Sequence, residues 1–161
     1  MRKIISIIST LIIGGMHLIS SAEGLCTNTE SALFNCDLQN GTASLCESNN
    51  DGALTYRNGT RSEINLEISD VGKCGGKVFY LSDVSYAGGG EVHIRFQNEK
   101  YSYFLYDRTV KTEDGPEFIA GIVVYREDKK IANLLCKNDA SIKQGAYLRI
   151  NREKYKTIQE K

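Results

Sequence analysis

Residues 85–107 read SYAGGGEVHIRFQNEKYSYFLYD, and no other stretch of the chain indicates the fold so clearly. Apolar and polar residues alternate along its first half, which is the period of a β-strand with one buried face. A turn at residues 97–100 leads into a return strand crowded with aromatic side chains. The stretch therefore predicts two antiparallel strands that follow a glycine-rich loop at residues 85–90. The alternating residues are Glu91, Val92, His93, Ile94, Arg95 and Phe96.

The same rhythm of short strands and turn signals runs through the rest of the chain. Asn40-Gly41 and Asn58-Gly59 are dipeptides that favour two-residue hairpins, because they tolerate positive φ. Helical periodicity is almost absent, and we interpret residues 109–117 as a longer loop. The spacing predicts an all-β fold of roughly eight or nine antiparallel strands. We expect a small barrel, or else a closed sandwich, since such architectures hide the strand edges that invite aggregation.

Residues 1–22 have the features of a secretory signal peptide. Two basic residues precede an apolar run at residues 4–19, and small residues fill positions 20–22, the spacing that signal peptidase recognises. The run is short for a membrane helix, and no stop-transfer pattern follows it. We therefore expect cleavage after Ala22, no stable membrane anchor after cleavage, and a periplasmic or secreted mature protein.

The mature chain, residues 23–161, is nearly neutral. Its 18 Lys and Arg residues oppose 20 Asp and Glu residues, since two of the 20 basic residues lie in the signal peptide. A chain without a basic field, or a basic run with interleaved aromatics, does not favour nucleic acid as a partner. This length makes a single β domain with one core. Its tail, from about residue 140, is polar. We expect this tail to form a short C-terminal helix at most and to dock loosely on the β domain.

All five cysteines follow the predicted cleavage site, as expected for disulfides in an oxidising compartment. A zinc site is disfavoured, because the cysteines are widely spaced and only one histidine remains after cleavage. Spacing alone does not determine the pairing. We expect Cys36 to pair with Cys136, which ties the first strand to the last, and Cys46 to pair with Cys74. Cys26, near the start of the mature chain, is then the unpaired thiol.

His93 is the one histidine of the mature chain, and the alternation places it beside Glu91 and Arg95 on the polar face of its strand. A histidine beside a carboxylate on a polar strand face is an arrangement that a general base can have. A solvated strand residue with charged neighbours explains the pattern as well, since catalysis also needs a pocket and a second positioned group. No local nucleophile motif such as Gly-x-Ser-x-Gly occurs. The sequence thus predicts a non-enzymatic protein without a cofactor or a metal site.

The glycine-rich loop and the nearby tyrosines form the candidate partner-binding surface. A phosphate-binding loop would continue with Lys-Ser/Thr and a helix, whereas Glu91 and a strand follow here. Three successive glycines lose much backbone entropy on ordering, so we interpret them as a recognition loop that permits close backbone approach. Tyrosines that alternation leaves near the surface make good interface anchors. The predicted contact residues are Ser85, Tyr86, Gly88, Gly89, Gly90, His93, Tyr101 and Tyr103.

Several of these signals follow one another in a recognisable order: Phe34-Asn35-Cys36, a glycine-turned hairpin, the glycine-rich segment 85–90, a strand hairpin and a closing Leu135-Cys136. This order resembles the periplasmic inhibitors of C-type lysozyme, over roughly residues 34–136. Those proteins are small exported bacterial β-barrels that block the enzyme's cleft with a Ser/Gly-rich loop. The resemblance implies that Ser85 and Gly88 belong to an inserting loop.

Together these features lead to one expected function and two alternatives. We expect a non-enzymatic periplasmic binding protein that inhibits a secreted or injected hydrolase, either a lysozyme or another cell-wall-degrading toxin. Against a rival's toxin, the chain would act as an immunity protein. A small-ligand carrier would instead use the barrel mouth, with a cavity lined by Tyr80, Phe96 and Phe104. An enzyme would use His93 in a cleft.

Overall fold

A computed structural model describes residues 23–72 and 78–158, so the predicted signal peptide lies outside the described residues. Within these ranges the chain forms ten strands and one short helix, which confirms the predicted all-β fold and the short C-terminal helix. No helix in the described ranges is long and apolar enough to cross a membrane. In chain order the elements are β1 (Glu30–Leu38), β2 (Gly41–Ser48), β3 (Leu54–Gly59), β4 (Ile64–Ser69), β5 (Tyr80–Tyr86), β6 (Gly89–Asn98), β7 (Tyr101–Thr112), β8 (Gly115–Arg126), β9 (Lys129–Leu135), α1 (Gln144–Arg149) and β10 (Asn151–Arg152).

The strands make two separate sheets, so the expectation of a barrel is wrong. β1 to β4 form a four-stranded antiparallel sheet, and the second sheet has six strands in the order β10-β5-β6-β7-β8-β9. Only the pairing of β10 with β5 is parallel among the strands described. A barrel would need ladder pairing between the sheets. Here no ladder joins the two described sheets, and the segment after β9 contacts β1 through a backbone hydrogen bond that Lys137 N donates to Asp37 O at 2.8 Å.

The apolar faces of the two sheets share one core. Across its centre, the Tyr56 ring of the first sheet lies 4.5 Å from the Phe96 ring of the second, centroid to centroid. The predicted carrier cavity is not formed, because Phe96 packs in this core while Phe104 packs on the opposite face of the sheet. Burial of a large aliphatic side chain contributes about 1.5–3 kcal/mol. Four aliphatic side chains, each at most 1% exposed, form one row across the middle of the second sheet: Leu81, Ile94, Leu105 and Ile122.

The prediction of a long loop at residues 109–117 is also wrong. β7 continues to Thr112 and β8 begins at Gly115, so a turn of two residues joins them. The pairing between the two strands is continuous to this turn. Gly115 has a φ of +122°, which glycine adopts without strain and which the dipeptide Asp114-Gly115 signals in hairpins. The result is a hairpin of two strands that are each 12 residues long.

The C-terminal segment, residues 151–158, lies across the outer face of the second sheet, the face that points away from the shared core. Arg95 Nη2 donates to Glu153 Oε2 at 2.7 Å, and Arg95 Nε donates to Glu153 Oε1 at 2.8 Å. The ring of Tyr155 stacks on that of His93, with centroids 5.0 Å apart. The prediction of a loosely docked tail is therefore wrong, because its alternate side chains bind the polar face of β6.

Two disulfides lie within the described residues. Cys36, on β1, bonds Cys136, directly after β9, as the sequence analysis predicted. The bond spans 100 residues and links an edge strand of the first sheet to the end of an edge strand of the second. Structural disulfides are typical of proteins that fold in an oxidising compartment.

The second disulfide corrects the other predicted pairing. Cys46 bonds Cys26, not Cys74, and Cys74 itself lies outside the described residues. Cys26 does not belong to a frayed start of the chain, since it is only 5% exposed. The neighbouring Leu25 amide donates to Ser44 Oγ at 3.0 Å, which holds this segment against β2. The prediction that Cys26 is the unpaired thiol is therefore wrong, because the residues around it are packed and not loose.

Candidate functional site

Most of the predicted contact residues lie at the end of the second sheet that carries the β5–β6 and β7–β8 turns. We call this region, residues 83–92 and 107–120, the hairpin end. On its inner face the row next to the core is Asp83, Val92, Asp107 and Ala120, and the last row that all four strands share is Ser85, Gly90, Thr109 and Phe118. Val92 and Ala120 are buried, whereas Phe118 is 67% exposed. The core therefore ends one row before the four-stranded pairing does, and β7 and β8 continue beyond it as a two-stranded hairpin.

A shallow groove occupies this exposed part of the inner face. Its volume is about 200 Å³, and Tyr147 of α1 borders it on one side. We call it the polar groove, because carboxylate and hydroxyl groups dominate its lining. A site of this kind binds through hydrogen bonds and charge more than through apolar contact. The residues that define it are Asp83, Ser85, Gly90, Asp107, Thr109 and Tyr147.

The two acids of the polar groove have different environments. Asp83 forms an ion pair with Arg152. Asp107 Oδ2 accepts a hydrogen bond from the Ile142 amide at 3.0 Å. Burial raises the pKa of the Asp107 carboxyl against the opposing effect of that hydrogen bond, and the Asp139 carboxylate raises it further. The groove therefore offers one acid paired with an arginine and one held by a backbone amide.

We expect Asp107→Asn to stabilise the protein at neutral pH. The pKa of Asp107 is raised above its ordinary value of 3.8, so the native state binds this proton more tightly than the unfolded state does. The stability that protonation contributes is fully present below the unfolded pKa and is lost as pH rises through the folded pKa. Asparagine keeps an acceptor for the Ile142 amide and carries no charge.

Thermal unfolding of wild type and Asp107→Asn between about pH 3 and pH 7 measures this effect. The midpoint of the variant should exceed that of wild type at neutral pH, and the difference should shrink toward the acidic end. A difference that stays constant across the range would show that the carboxyl's charge is not responsible.

The glycines of residues 85–90 form a tight turn between two strands, shorter than the loop predicted over residues 85–90. β5 ends at Tyr86 and β6 begins at Gly89, so only two residues turn the chain. Gly88, in the turn, has a φ of +98°. A Cβ on Gly89 would lie 1.9 Å from the carbonyl oxygen of Thr109 on the adjacent strand. The glycines thus serve a close turn and close strand contact, and they do not make a long open loop.

The structure brings five of the predicted contact residues together and separates the rest. The five at the hairpin end are Ser85, Tyr86, Gly88, Gly89 and Gly90. Tyr86 lies on the outer face, is 43% exposed, and donates from its hydroxyl to Thr109 O at 3.2 Å. Tyr101 and Tyr103 pack against the core at the other end of β7. At about 3.3 Å per residue, these two tyrosines lie on the order of 20 Å from the β5–β6 turn.

His93 lies apart from both groups and is fully buried. Its Nε2 contacts the Glu91 carboxylate, and the ring is enclosed by Tyr155 and Phe104. The interpretation of His93 as a solvated strand residue is wrong, because the tail covers this face of β6. The His93 side chain reaches neither the polar groove nor the solvent. The described ranges contain no group of three or more His, Cys, Asp or Glu that could hold a metal.

Three residues of the hairpin end were not predicted as part of a site from the sequence: Asp107, Thr109 and Phe118. Asp107 and Thr109 face Val92 and Gly90 in the β6–β7 ladder. Phe118 faces Thr109 in the β7–β8 ladder. The loop predicted at residues 109–117 removed both pairings of Thr109 and so the row that contains Phe118, whereas Asp107 lay in the predicted return strand without an assigned role. Extending the alternation to the Asp-Gly turn would have placed Thr109 and Phe118 in one row with Ser85.

Comparison of the chain with protein-family models, with curated proteins and with solved structures finds no match. The candidate site is therefore characterised by its own geometry: a rigid two-residue turn, an exposed tyrosine on one face of the sheet, and a polar groove with an exposed phenylalanine on the other.

Proposed function

We propose that the chain is a non-enzymatic, exported binding protein that inhibits a secreted or injected hydrolase, such as a lysozyme or another cell-wall-degrading toxin, through its hairpin end. The observation that carries the proposal is a narrow, rigid and exposed tip on a disulfide-bonded scaffold. Two disulfides within the described residues support export to an oxidising compartment.

The rigidity of the tip favours inhibition by insertion. The β5–β6 turn is fastened to β7, because Lys111 N donates to Gly88 O at 2.7 Å. Neighbouring strands pair along their full length behind it. A tip that is already in its bound conformation loses little conformational entropy on association, so more of the contact energy appears as affinity. A short hairpin that is fixed by backbone hydrogen bonds is narrow enough to enter a cleft.

The chemistry of the tip also suits a protein partner. Tyr86 and Phe118 are large aromatic side chains with exposed fractions of 43% and 67%, one on each face of the sheet end. Exposed aromatics of this kind are typical anchors of interfaces. Three exposed carboxylates lie at or beside the β7–β8 turn of this sheet end, where Lys111 is the exposed lysine, and this excess of negative charge favours a partner with a basic rim or cleft. These carboxylates are Glu113, Asp114 and Glu117.

The test measures binding and inhibition with a panel of lysozymes and periplasm-targeted cell-wall hydrolases. We expect wild type to inhibit at least one of them. Tyr86→Ala and Phe118→Ala should each weaken that inhibition, by about 2 kcal/mol if the residue is a hot spot. Their melting temperatures should stay close to that of wild type, because both side chains are exposed.

Ile131→Ala is the matched control. Ile131 is an exposed aliphatic residue, 50% accessible, on β9 and distant from the turn. The Ile131→Ala variant should inhibit the hydrolase as strongly as wild type does. Failure of every hydrolase to bind, or equal inhibition by wild type and both aromatic variants, would contradict the proposal.

A further inference from the structure

A second groove lies on the outer face of the six-stranded sheet, and no part of the proposed inhibition uses it. Its volume is about 360 Å³. The rings of Phe104 and Tyr125 form its floor, residues 156–158 of the tail form one wall, and the β8–β9 turn forms the other. We call it the aromatic groove.

The floor of the aromatic groove is held firmly. The rings of Phe104 and Tyr125 meet edge to face at 75°, with centroids 5.6 Å apart. Behind them the His93 ring meets Phe104 at 86°, with centroids 6.1 Å apart. Both floor residues are partly exposed on the groove side. The aromatic surface is therefore presented to the groove in a fixed orientation.

The rim of the groove mixes donors and acceptors without a dominant charge. Gln97 Nε2 donates to Ser102 Oγ at 3.3 Å on one side. Glu127 and Asp128 place exposed carboxylates in the β8–β9 turn, and Lys156 places an exposed ammonium group on the tail. The remaining cation of the lining, Arg95, is bound to Glu153 and fixes the wall instead of contributing free charge.

We propose that the aromatic groove binds a short saccharide. A sugar hydroxyl donates and accepts at once, so it can satisfy carboxylates, an amide and an ammonium group around one ring. The apolar C–H face of a sugar ring packs on aromatic side chains, and an apolar floor with a few convergent polar groups is the usual form of a small-ligand site. A strongly ionic ligand would need a rim of one sign, which this groove lacks.

An extended peptide fits the groove less well. Peptides commonly bind sheets by adding a strand to an open edge. The floor residues belong to β7 and β8, and both strands already have a partner on each side. No edge of the sheet is therefore available at the floor of the groove.

The aromatic groove is independent of the hairpin end. Gln97 lies seven residues along β6 from Gly90, which is about 23 Å at 3.3 Å per residue. The two sites also lie on opposite faces of the sheet, since Gly90 lines the inner groove. A saccharide and a hydrolase can therefore bind together, and failure of one proposal leaves the other standing.

The test follows amide chemical shifts of the isotope-labelled protein during titration with chitotetraose, cellotetraose and maltotetraose, with tetra-alanine as the peptide comparison. At least one saccharide should shift the amides of Gln97, Ser102 and Thr157 saturably and leave those at the β5–β6 turn unchanged. Asp128→Asn should weaken that binding about tenfold, as loss of one hydrogen bond to a charged group predicts.

Two further variants make the test specific. Tyr125→Leu removes the ring and should also weaken binding, while Glu113→Gln alters an exposed carboxylate at the hairpin end and should not change it. The proposal is overturned if none of the three saccharides shifts the groove amides, or if tetra-alanine shifts them and the saccharides do not. It is equally overturned if Asp128→Asn and Tyr125→Leu both bind the saccharide as wild type does.

Discussion

Gly89→Ala is expected to destabilise the protein by about 3 kcal/mol or more, because the added methyl group has no room. Its Cβ would lie 1.9 Å from the Thr109 carbonyl oxygen and 2.8 Å from the Thr109 carbonyl carbon. Those atoms are backbone of the adjacent strand, so relief requires a shift of β7 or loss of pairing at the hairpin end. Denaturant unfolding of purified protein measures the loss directly.

The adjacent Gly90→Ala variant is a matched control for that experiment. Its Cβ would lie 3.1 Å from Val84 O, which a shift of a few tenths of an ångström can relieve. Neither glycine has a positive φ, so the two substitutions differ in space and not in backbone strain. Equal losses for the two variants would refute the steric account of Gly89. The same clash means that large substitutions at Gly89 report on folding and not on partner binding.

Removal of the Cys36–Cys136 disulfide should have the second large effect. The bond spans 100 residues, and the chain-entropy relation assigns about 4.7 kcal/mol to a loop of roughly this length. A Cys36→Ala/Cys136→Ala double variant should therefore lose about 2–5 kcal/mol, the usual range for native disulfides. For a domain of this size the melting temperature should fall by roughly 10 °C.

The Cys26→Ala/Cys46→Ala double variant provides the comparison. This bond spans 20 residues, for which the same relation gives about 3 kcal/mol. Each double variant replaces both cysteines of one disulfide, so neither variant leaves a half-cystine as a new free thiol. The longer bridge should contribute more stability in denaturant unfolding, and a larger loss from the shorter bridge would show that local packing near Leu25, and not loop entropy, dominates.

Alternation along the chain predicted the strands well because it is a local signal. Val92, Ile94 and Phe96 reach the shared core as expected, with exposed fractions of 6%, 0% and 0%. The Cys36–Cys136 bond was also predictable, since it joins the first strand to the end of the last long one. The absence of barrel closure was not predictable, because the number of strands does not tell whether the end strands of two sheets pair with each other.

The candidate site shows the same division between local and distant information. Ser85 and Gly90 were predicted from the glycine-rich sequence beside them. Asp107 and Phe118 join them only through the register of two hairpins, and the loop predicted at residues 109–117 hid the row that contains Phe118. The burial of His93 depends on Tyr155, which is 62 residues away, and no local pattern around His93 could indicate it.

The docked C-terminal segment also sets an order for folding. Residues 151–158 leave the ribosome after every strand that they cover, and they pair with Tyr80 and Leu81 about 70 residues earlier in the chain. Until they arrive, Tyr106 and Val123 lack Ile158 as their apolar neighbour, and one edge of β5 is unpaired. Until this segment is synthesised and docks, the sheet therefore has an open, aggregation-prone surface, and the docked segment closes it.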